Sequence, residues 1–296
     1  MKKFVSEYYS NWLLVFVLSW LTVYVSMITE PLSLARQNWI FIFVGFFSAI
    51  IGNITAIGGG IVFIPVMIFI FHLSPLVALK VAIVSQCFGM TSGAIAWTKK
   101  QKIPKLLFYY TIPGLILGTL VSSLIFKPKP LLIKGLFGPV SIFLGFLILL
   151  HALKQNNSPN LEKGYIEKLA TNLKSKFILL SVSFLGGLIT GWIAIGEGEI
   201  VASYLMYFQG LSAHLSIAFG VVLLSINSLV LCLIHVLFLD GIPWEIGLFT
   251  GLGCVFGARL APLIATKINT KWIKIVFSFI AIADGLIFIY QFMITP

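Results

Sequence analysis

Two carboxylates stand where an apolar chain supports them least. Glu197 and Glu199 fall in Ile195-Gly196-Glu197-Gly198-Glu199, a glycine-rich interruption of more than thirty mostly apolar residues. A carboxylate in a hydrocarbon interior costs several kcal/mol, about 2.5–3.5 on insertion scales, unless it is paired or protonated. The pair is therefore suited to handling a proton or a cation, with Glu197, inside the break, the better placed. The alternative is a loop tip at the interface, where both are simply solvated. A second interruption, Ile57-Gly58-Gly59-Gly60-Ile61, carries the opposite chemistry. Gly58, Gly59 and Gly60 permit backbone conformations that other residues avoid, and a helix restarting after them directs N–H groups and its positive dipole end into the protein. That arrangement suits an anion, unless the glycines serve only to let helices pack closely.

Lys80, Arg259 and Asp284 are the other charges inside apolar runs. Lys80 is either a counter-ion for substrate or a side chain reaching back to the interface, and Asp284 is the candidate partner of Arg259. Asn53, Thr55, Ser85, Gln86, Ser92, Thr190, Ser225 and Asn227 are neutral polar groups near the interruptions or on the following helices, able to line a path or to bond between helices. His72, His151, His214 and His235 have no metal-ligand spacing, and H-E-x-x-H, G-x-S-G and paired-aspartate motifs are missing, so no catalytic, metal or cofactor site is expected. Cys87, Cys232 and Cys254 lie in apolar runs without CxxC spacing and read as small packing residues.

The elements that hold these residues come in two copies. A slide of 138 residues lays Ile57-Gly58 on Ile195-Gly196 and Leu73-Ser74 on Leu211-Ser212; a slide of 139 lays Ile103-Pro104, Gly114 and Gly118 on Ile242-Pro243, Gly253 and Gly257. The chain is an internal duplication. Paired glycine interruptions at matching places in two membrane halves point to a carrier's binding site, because freed backbone groups are tolerated in lipid only around a cavity. Gly196 and Gly198 then join Gly58–Gly60 as candidate substrate-binding positions.

Hydrophobic residues make up 59% of the chain and charged residues 10%, with a mean hydropathy of +1.06, far from the roughly 25% charge of soluble domains. A polytopic membrane protein is expected. Apolar runs fall at about 12–28, 39–57, 61–72, 76–97, 106–126, 131–153, 177–195, 199–209, 213–238, 244–266 and 272–293, most of them near the roughly 20 residues that cross a bilayer. Residues 39–72 as one helix would be about 50 Å long, so the chain should turn at the glycines, and the same holds for 177–209. With both turns made, one face collects Lys2, Lys3, Lys99, Lys100, Lys102, Lys105, Lys154, Lys163, Lys168, Lys174, Lys176, Lys267, Lys271 and Lys274. The other keeps Arg36, Lys127, Lys129 and Lys134. The first face is cytoplasmic by the positive-inside rule.

The fold expected is all-α and polytopic: two inverted repeats, each a glycine-broken helical hairpin plus three transmembrane helices, preceded by one extra N-terminal helix. Its parts are an N-terminal transmembrane helix and outer loop (1–38), a first repeat (39–153), a cytoplasmic linker with a surface helix opening at Ser158-Pro159 (154–176), and a second repeat (177–296). The basic start and long aromatic-rich run at 12–28 read as an uncleaved helix with a cytoplasmic N-terminus; the C-terminus falls outside. Pro65 is answered by Ser203 in the second half, so the hairpins should differ in detail. The net charge of +11 sits in short connections, not on a face with stacking aromatics, which argues against nucleic acid as a partner. The partners expected are the lipid bilayer of the cell membrane and a small anion; the residues say nothing of oligomeric state.

The run Gly45, Gly52, Gly58-Gly59-Gly60-Ile61-Val62-Phe63-Ile64-Pro65, followed by Leu73-Ser74-Pro75 and its echo in the second half, resembles the TauE/SafE sulfite exporters, also called toluene-sulfonate uptake permeases. The similarity of pattern covers roughly residues 40 to 293. It implies transport of small sulfur-containing or organic anions such as sulfite, sulfonates or sulfoacetate, with proton coupling or under the membrane potential. Glu197, Glu199 and Ser203 depart from the pattern, and protonation of Glu197 during the cycle would reconcile a carboxylate with an anionic substrate. The rival readings are a cation-coupled carrier of a neutral or zwitterionic solute, with the glutamates as ion site, and a membrane enzyme or assembly factor.

Overall fold

Thirteen α-helices and no strand form the described residues, which in this computed structural model are 2–28, 30–56, 58–153, 159–267 and 270–294. The N-terminal helix α1 (Lys2–Met27) is followed by a short helix α2 (Pro31–Asn38) that the composition had marked only as loop. Proline at the first position of α2 gives up an N–H that would have had no helical partner. Helix α3 (Ile40–Thr55) then stops at the glycines and α4 (Gly60–Pro65) begins, running on through a π-helical turn at Val66–Ile70. The first half is completed by α5 (Pro75–Thr98), α6 (Lys105–Leu120, ending in a π turn at Val121–Ile125) and α7 (Pro130–Leu153). A linker helix α8 (Pro159–Thr171) leads to α9 (Leu173–Ile193), α10 (Glu197–Tyr207), α11 (Ala213–Phe238), α12 (Trp244–Lys267) and α13 (Thr270–Ile294). Six of these are long and apolar enough to cross a membrane, or up to seven if α1 and α2 form one bent span.

Both expected turns are made. The rings of Phe41 and Phe71, at the two ends of the α3–α4 stretch, lie 4.5 Å apart, which requires the chain to double back. Ser183 and Gly186 of α9 likewise meet Glu197 at the start of α10. The turns use matched conformations at the 138-residue offset: Ala56 and Ala194 close their helices with φ of 64° and 55°, and Gly58 and Gly196 follow with φ of 93° and 115°. Only glycine adopts that second conformation without strain. Past each turn, Ser74 and Ser212 cap the next helix by accepting the N–H of Val77 and of Leu215. As expected from Pro65, the hairpins differ in their second arms: the π-helical turn after Pro65 has no counterpart after Ser203, where α10 runs on regularly. Ile57, in the first break, and Ser158, the expected start of the linker helix, lie outside the described residues.

The halves interlock. Gly253 and Gly257 of α12 seat directly on the carbonyls of Ile42 and Phe46 in α3, and Gly114 and Gly118 of α6 on those of Leu180 and Phe184 in α9, the same contacts one repeat apart. Each hairpin thus packs on a helix of the other half, in parallel direction. The helices that correspond to one another run antiparallel instead: Cys87 of α5 meets the Ser228 carbonyl of α11 and Thr91 meets Ser225. Gly138 and Gly145 of α7 meet Gly285 and Ser278 of α13 in the same sense. Helix α8 is more than a surface helix, since Tyr165 and Leu169 are buried among Leu107, Leu179, Leu205 and Leu211.

Part of the lysine set comes together at one end of the bundle. Lys100 bonds the Pro262 carbonyl near the end of α12, and Lys176 lies over the Tyr110 ring, which puts the Lys99–Lys105 connection, Lys176 and Lys267 at one end of the bundle. Burial, and then the nearby charge of Lys267, lowers the pKa of Lys100. At the opposite end Glu30 and Glu245 line a cavity of about 820 Å³ between α1, α2 and α12.

Candidate functional site

The two breaks meet. A side chain at Gly60 would strike the Ala194 carbonyl at 2.7 Å, and one at Gly198 would collide with the carbonyl of Ala56. Each hairpin tip therefore presses a glycine, at corresponding positions, against the left-handed turn of the other. Gln86, midway along α5, donates from Nε2 to the Ala194 carbonyl at 2.5 Å, while the corresponding Leu224 of α11 packs against Gly58 and Ala56.

The triple glycine divides its labour residue by residue. Gly58 supplies the positive φ; Gly60 supplies the close approach; Gly59 has an ordinary helical φ of −68° and caps α4. Gly59 borders a small space of about 10 Å³, shared with Asn53, Phe63, Ser85 and Gln86 among others, which is about room for one water. In this cluster Asn53 Nδ2 bonds the Ala49 carbonyl, Ser85 bonds Thr250 at 2.6 Å, and Trp97 Nε1 holds the Asn53 carbonyl at 3.0 Å. Asn53 Oδ1, Gln86 Oε1 and Ser48 Oγ are buried without a hydrogen-bond partner among the described residues. Thr55 bonds back to Ile51 and points its hydroxyl into its own helix turn.

The second tip is built from different groups. Glu197, at the position of Gly59, is fully buried; its Oε1 accepts from Ser183 at 2.7 Å, its backbone N–H is held by Thr190 Oγ1 at 2.9 Å, and its Oε2 has no partner among the described residues. Glu199 is 1% exposed and accepts from Ser203 at 3.1 Å. The structure thus places both glutamates in the interior, and both in the first turn of α10 rather than Glu197 alone in the break. A negative charge in a helix's first turn is favoured by the dipole. Beside them Thr119 bonds Asn227 Oδ1 at 2.6 Å, with Asn227 Nδ2 left unpartnered, and Gly191 sits against Ser122 and Ser123.

Gly58–Gly60, Asn53, Ser85, Gln86, Gly196, Gly198, Glu197 and Glu199 are therefore brought to the two facing tips, and Asn227 to the second. Ser92 and Ser225 are helix-bridging groups, bonded to Val255 and Thr91. Lys80 is apart from the tips, 8% exposed on α5 and within electrostatic reach of His235 on α11. Asp284 forms no ion pair among the described residues and does not serve Arg259. Ser183 and Thr119 were not singled out from sequence. Ser183 stands at the repeat position of Gly45, and a polar residue replacing a glycine was the available sign; Thr119 had none.

A family model described as sulfite exporter TauE/SafE matches residues 41–287. The chain is also 22% identical over 270 residues to the "Probable membrane transporter protein YunE" of Bacillus subtilis (strain 168), covering 85% of this chain and 97% of that one. No solved structure matches. The matched region begins at the first hairpin and runs past both tips and the helices that hold them. With its interlocked apolar helices, this is a multi-pass membrane transporter that belongs to the TauE/SafE sulfite exporter family.

Proposed function

We propose that the chain is a secondary carrier exporting small sulfur-containing or organic anions, sulfite and sulfonates among them, with proton binding at Glu197 coupled to movement. The observation that carries this reading is the reciprocal seating of Gly60 and Gly198 on the opposite hairpin's carbonyl, which brings two helix breaks into one buried place. In the first half that place offers the start of α4 beside Gln86, whose Nε2 donates across the tips to the Ala194 carbonyl and would be released to donate to an anion when the tips part. In the second half the Glu197 carboxylate occupies the position that Gly59 leaves open. The space beside Gly59, about 10 Å³, is too small for a sulfonate, so substrate entry requires the tips to part, as alternating access demands.

The proposal includes inverted repeats, supported by the antiparallel course of α5 against α11 and of α7 against α13. A two-fold operator relating them lies across the helices, in the plane of a membrane they span. A cation-coupled carrier of a neutral or zwitterionic solute is the second reading, favoured by the buried Glu197 carboxylate with its unpartnered Oε2. Proteoliposomes given labelled sulfite or toluenesulfonate, with and without a pH gradient, separate the two. Gradient-stimulated anion movement is expected; uptake of neither anion under any gradient overturns the anion reading.

A further inference from the structure

The interface of α5 and α11 is polar at one end and apolar at the other, although the two ends correspond. Continuing the antiparallel register of Thr91 with Ser225 and Cys87 with Ser228 towards the start of α5 brings Lys80 level with His235, whose imidazole feels the Lys80 charge. Lys80 is 8% exposed and His235 fully buried. Neither ring nitrogen of His235 has a hydrogen-bond partner, and no carboxylate pairs with Lys80 among the described residues. Farther along α5 lies Gln86, bonded to the second tip at Ala194 with its Oε1 unpartnered.

The repeat supplies the control. At the 138-residue offset Lys80, Gln86 and His235 become Ala218, Leu224 and Trp97, which are sealed in one apolar cluster with Ile54, Ala56 and Met90. The fold therefore does not need polar groups at this interface, and a fully buried imidazole with both ring nitrogens unpartnered among the described residues, beside a largely buried lysine, is costly unless a ligand completes it. Hydrogen bonding to a small oxyanion would supply both the missing charge and the missing acceptor, with Lys80 Nζ and a His235 ring N–H as donors.

We propose that Lys80 and His235 form an anion-binding station between the hairpin tips and the end of the bundle where α5 begins, the stretch through which the anion passes on that side. This rests on the anion-carrier reading above. The station accounts for the asymmetry: the route on its side is polar, and the corresponding route beyond the other tip is closed by Trp97 and Leu224.

The test uses the purified full-length protein and sulfite, with binding followed by calorimetry and transport in proteoliposomes. Lys80→Met should weaken sulfite binding and raise KM by about tenfold or more, the scale of a lost hydrogen bond to a charged group. Lys80→Arg should recover most of the affinity, and His235→Phe should raise KM in the same sense. Monodisperse elution in detergent establishes folding for each variant; should Lys80→Met fail it, Lys80→Gln and His235→Gln take its place. Folded charge-removing variants with wild-type affinity and KM overturn the station and leave the carrier reading intact. Wild type that binds sulfite without moving it, with binding lost in Lys80→Met, overturns the carrier reading and supports the station. Wild type that binds no sulfite overturns both.

Discussion

Glu197 has one good side-chain hydrogen bond, from Ser183, and an Oε2 that no described residue completes. An ionised carboxylate so enclosed is costly without a partner, whereas the protonated acid gains a donor and loses the charge. Glu197→Gln imitates the protonated form at nearly constant volume. On the coupling proposal the Gln protein folds, binds the anion, and transports at equal rates with and without a pH gradient. A response as full as that of wild type would remove Glu197 from the coupling role. Glu199→Gln should change less, because Ser203 already supports that carboxylate from the next turn of α10. The glycines separate in the same way. Gly58→Ala meets a positive φ, and Gly60→Ala meets the Ala194 backbone; both should lose folded protein. Gly59→Ala meets side chains and no backbone, the Phe63 ring at 3.0 Å and Ser48 Cβ at 3.7 Å, so it should fold and instead raise KM several-fold, measured as anion uptake against concentration. Unaltered KM in folded Gly59→Ala would show that the space beside Gly59 is not used by substrate.

The helices were largely legible because their signals are physical and repeated. Twenty apolar residues must span, two interruptions at one offset must mean the same thing twice, and a 50 Å helix must turn. Both hairpins and the linker helix follow. What escaped were features decided by packing. Helix α2 is short and polar on average, and only its place beside α12 and the cavity edged by Trp244 and Glu245 organises it. The inward burial of Tyr165, the division of roles among Gly58, Gly59 and Gly60, and the failure of Arg259 to pair with Asp284 depend on neighbours distant in sequence. His235 stands in an apolar run where the first half has Trp97, and only the packing shows that neither of its ring nitrogens has a partner among the described residues. The small-xxx-small spacing of Gly114 with Gly118 and of Gly253 with Gly257 is a packing signal, and the structure gives it a strict form: Gly118 lies on the Phe184 carbonyl and Gly257 on that of Phe46. Backbone cannot yield as a side chain can, so Gly118→Leu or Gly257→Leu should destabilise by about 1–3 kcal/mol or more. Thermal unfolding in detergent should show both losses to be alike, since the contacts are repeats of each other. An unchanged midpoint in either variant would contradict the close approach.

At the scale of the whole molecule the question is which way each half faces. One end of the bundle gathers Lys100, Lys176 and Lys267 with the Lys99–Lys105 connection, and the other has Glu30 and Glu245 around a broad cavity. Positive charge is retained on the cytoplasmic side during insertion, so the lysine-rich end should be inside. Corresponding helices run antiparallel, and with inverted repeats the start of α9 and the end of α11 must then lie on opposite sides. Lys174 and Leu239 mark those points; Lys174 is exposed and Leu239 partly so. A background lacking Cys87, Cys232 and Cys254 is needed, since Cys87 and Cys232 are partly exposed. In it, Lys174→Cys should be protected from a membrane-impermeant maleimide in intact cells and react after permeabilisation, as should Gly210→Cys. Leu239→Cys and Met293→Cys should react in intact cells. Labelling of Lys174→Cys and Leu239→Cys from the same side would mean that the halves are parallel, and the two tips could not then serve as equivalent gates on opposite faces.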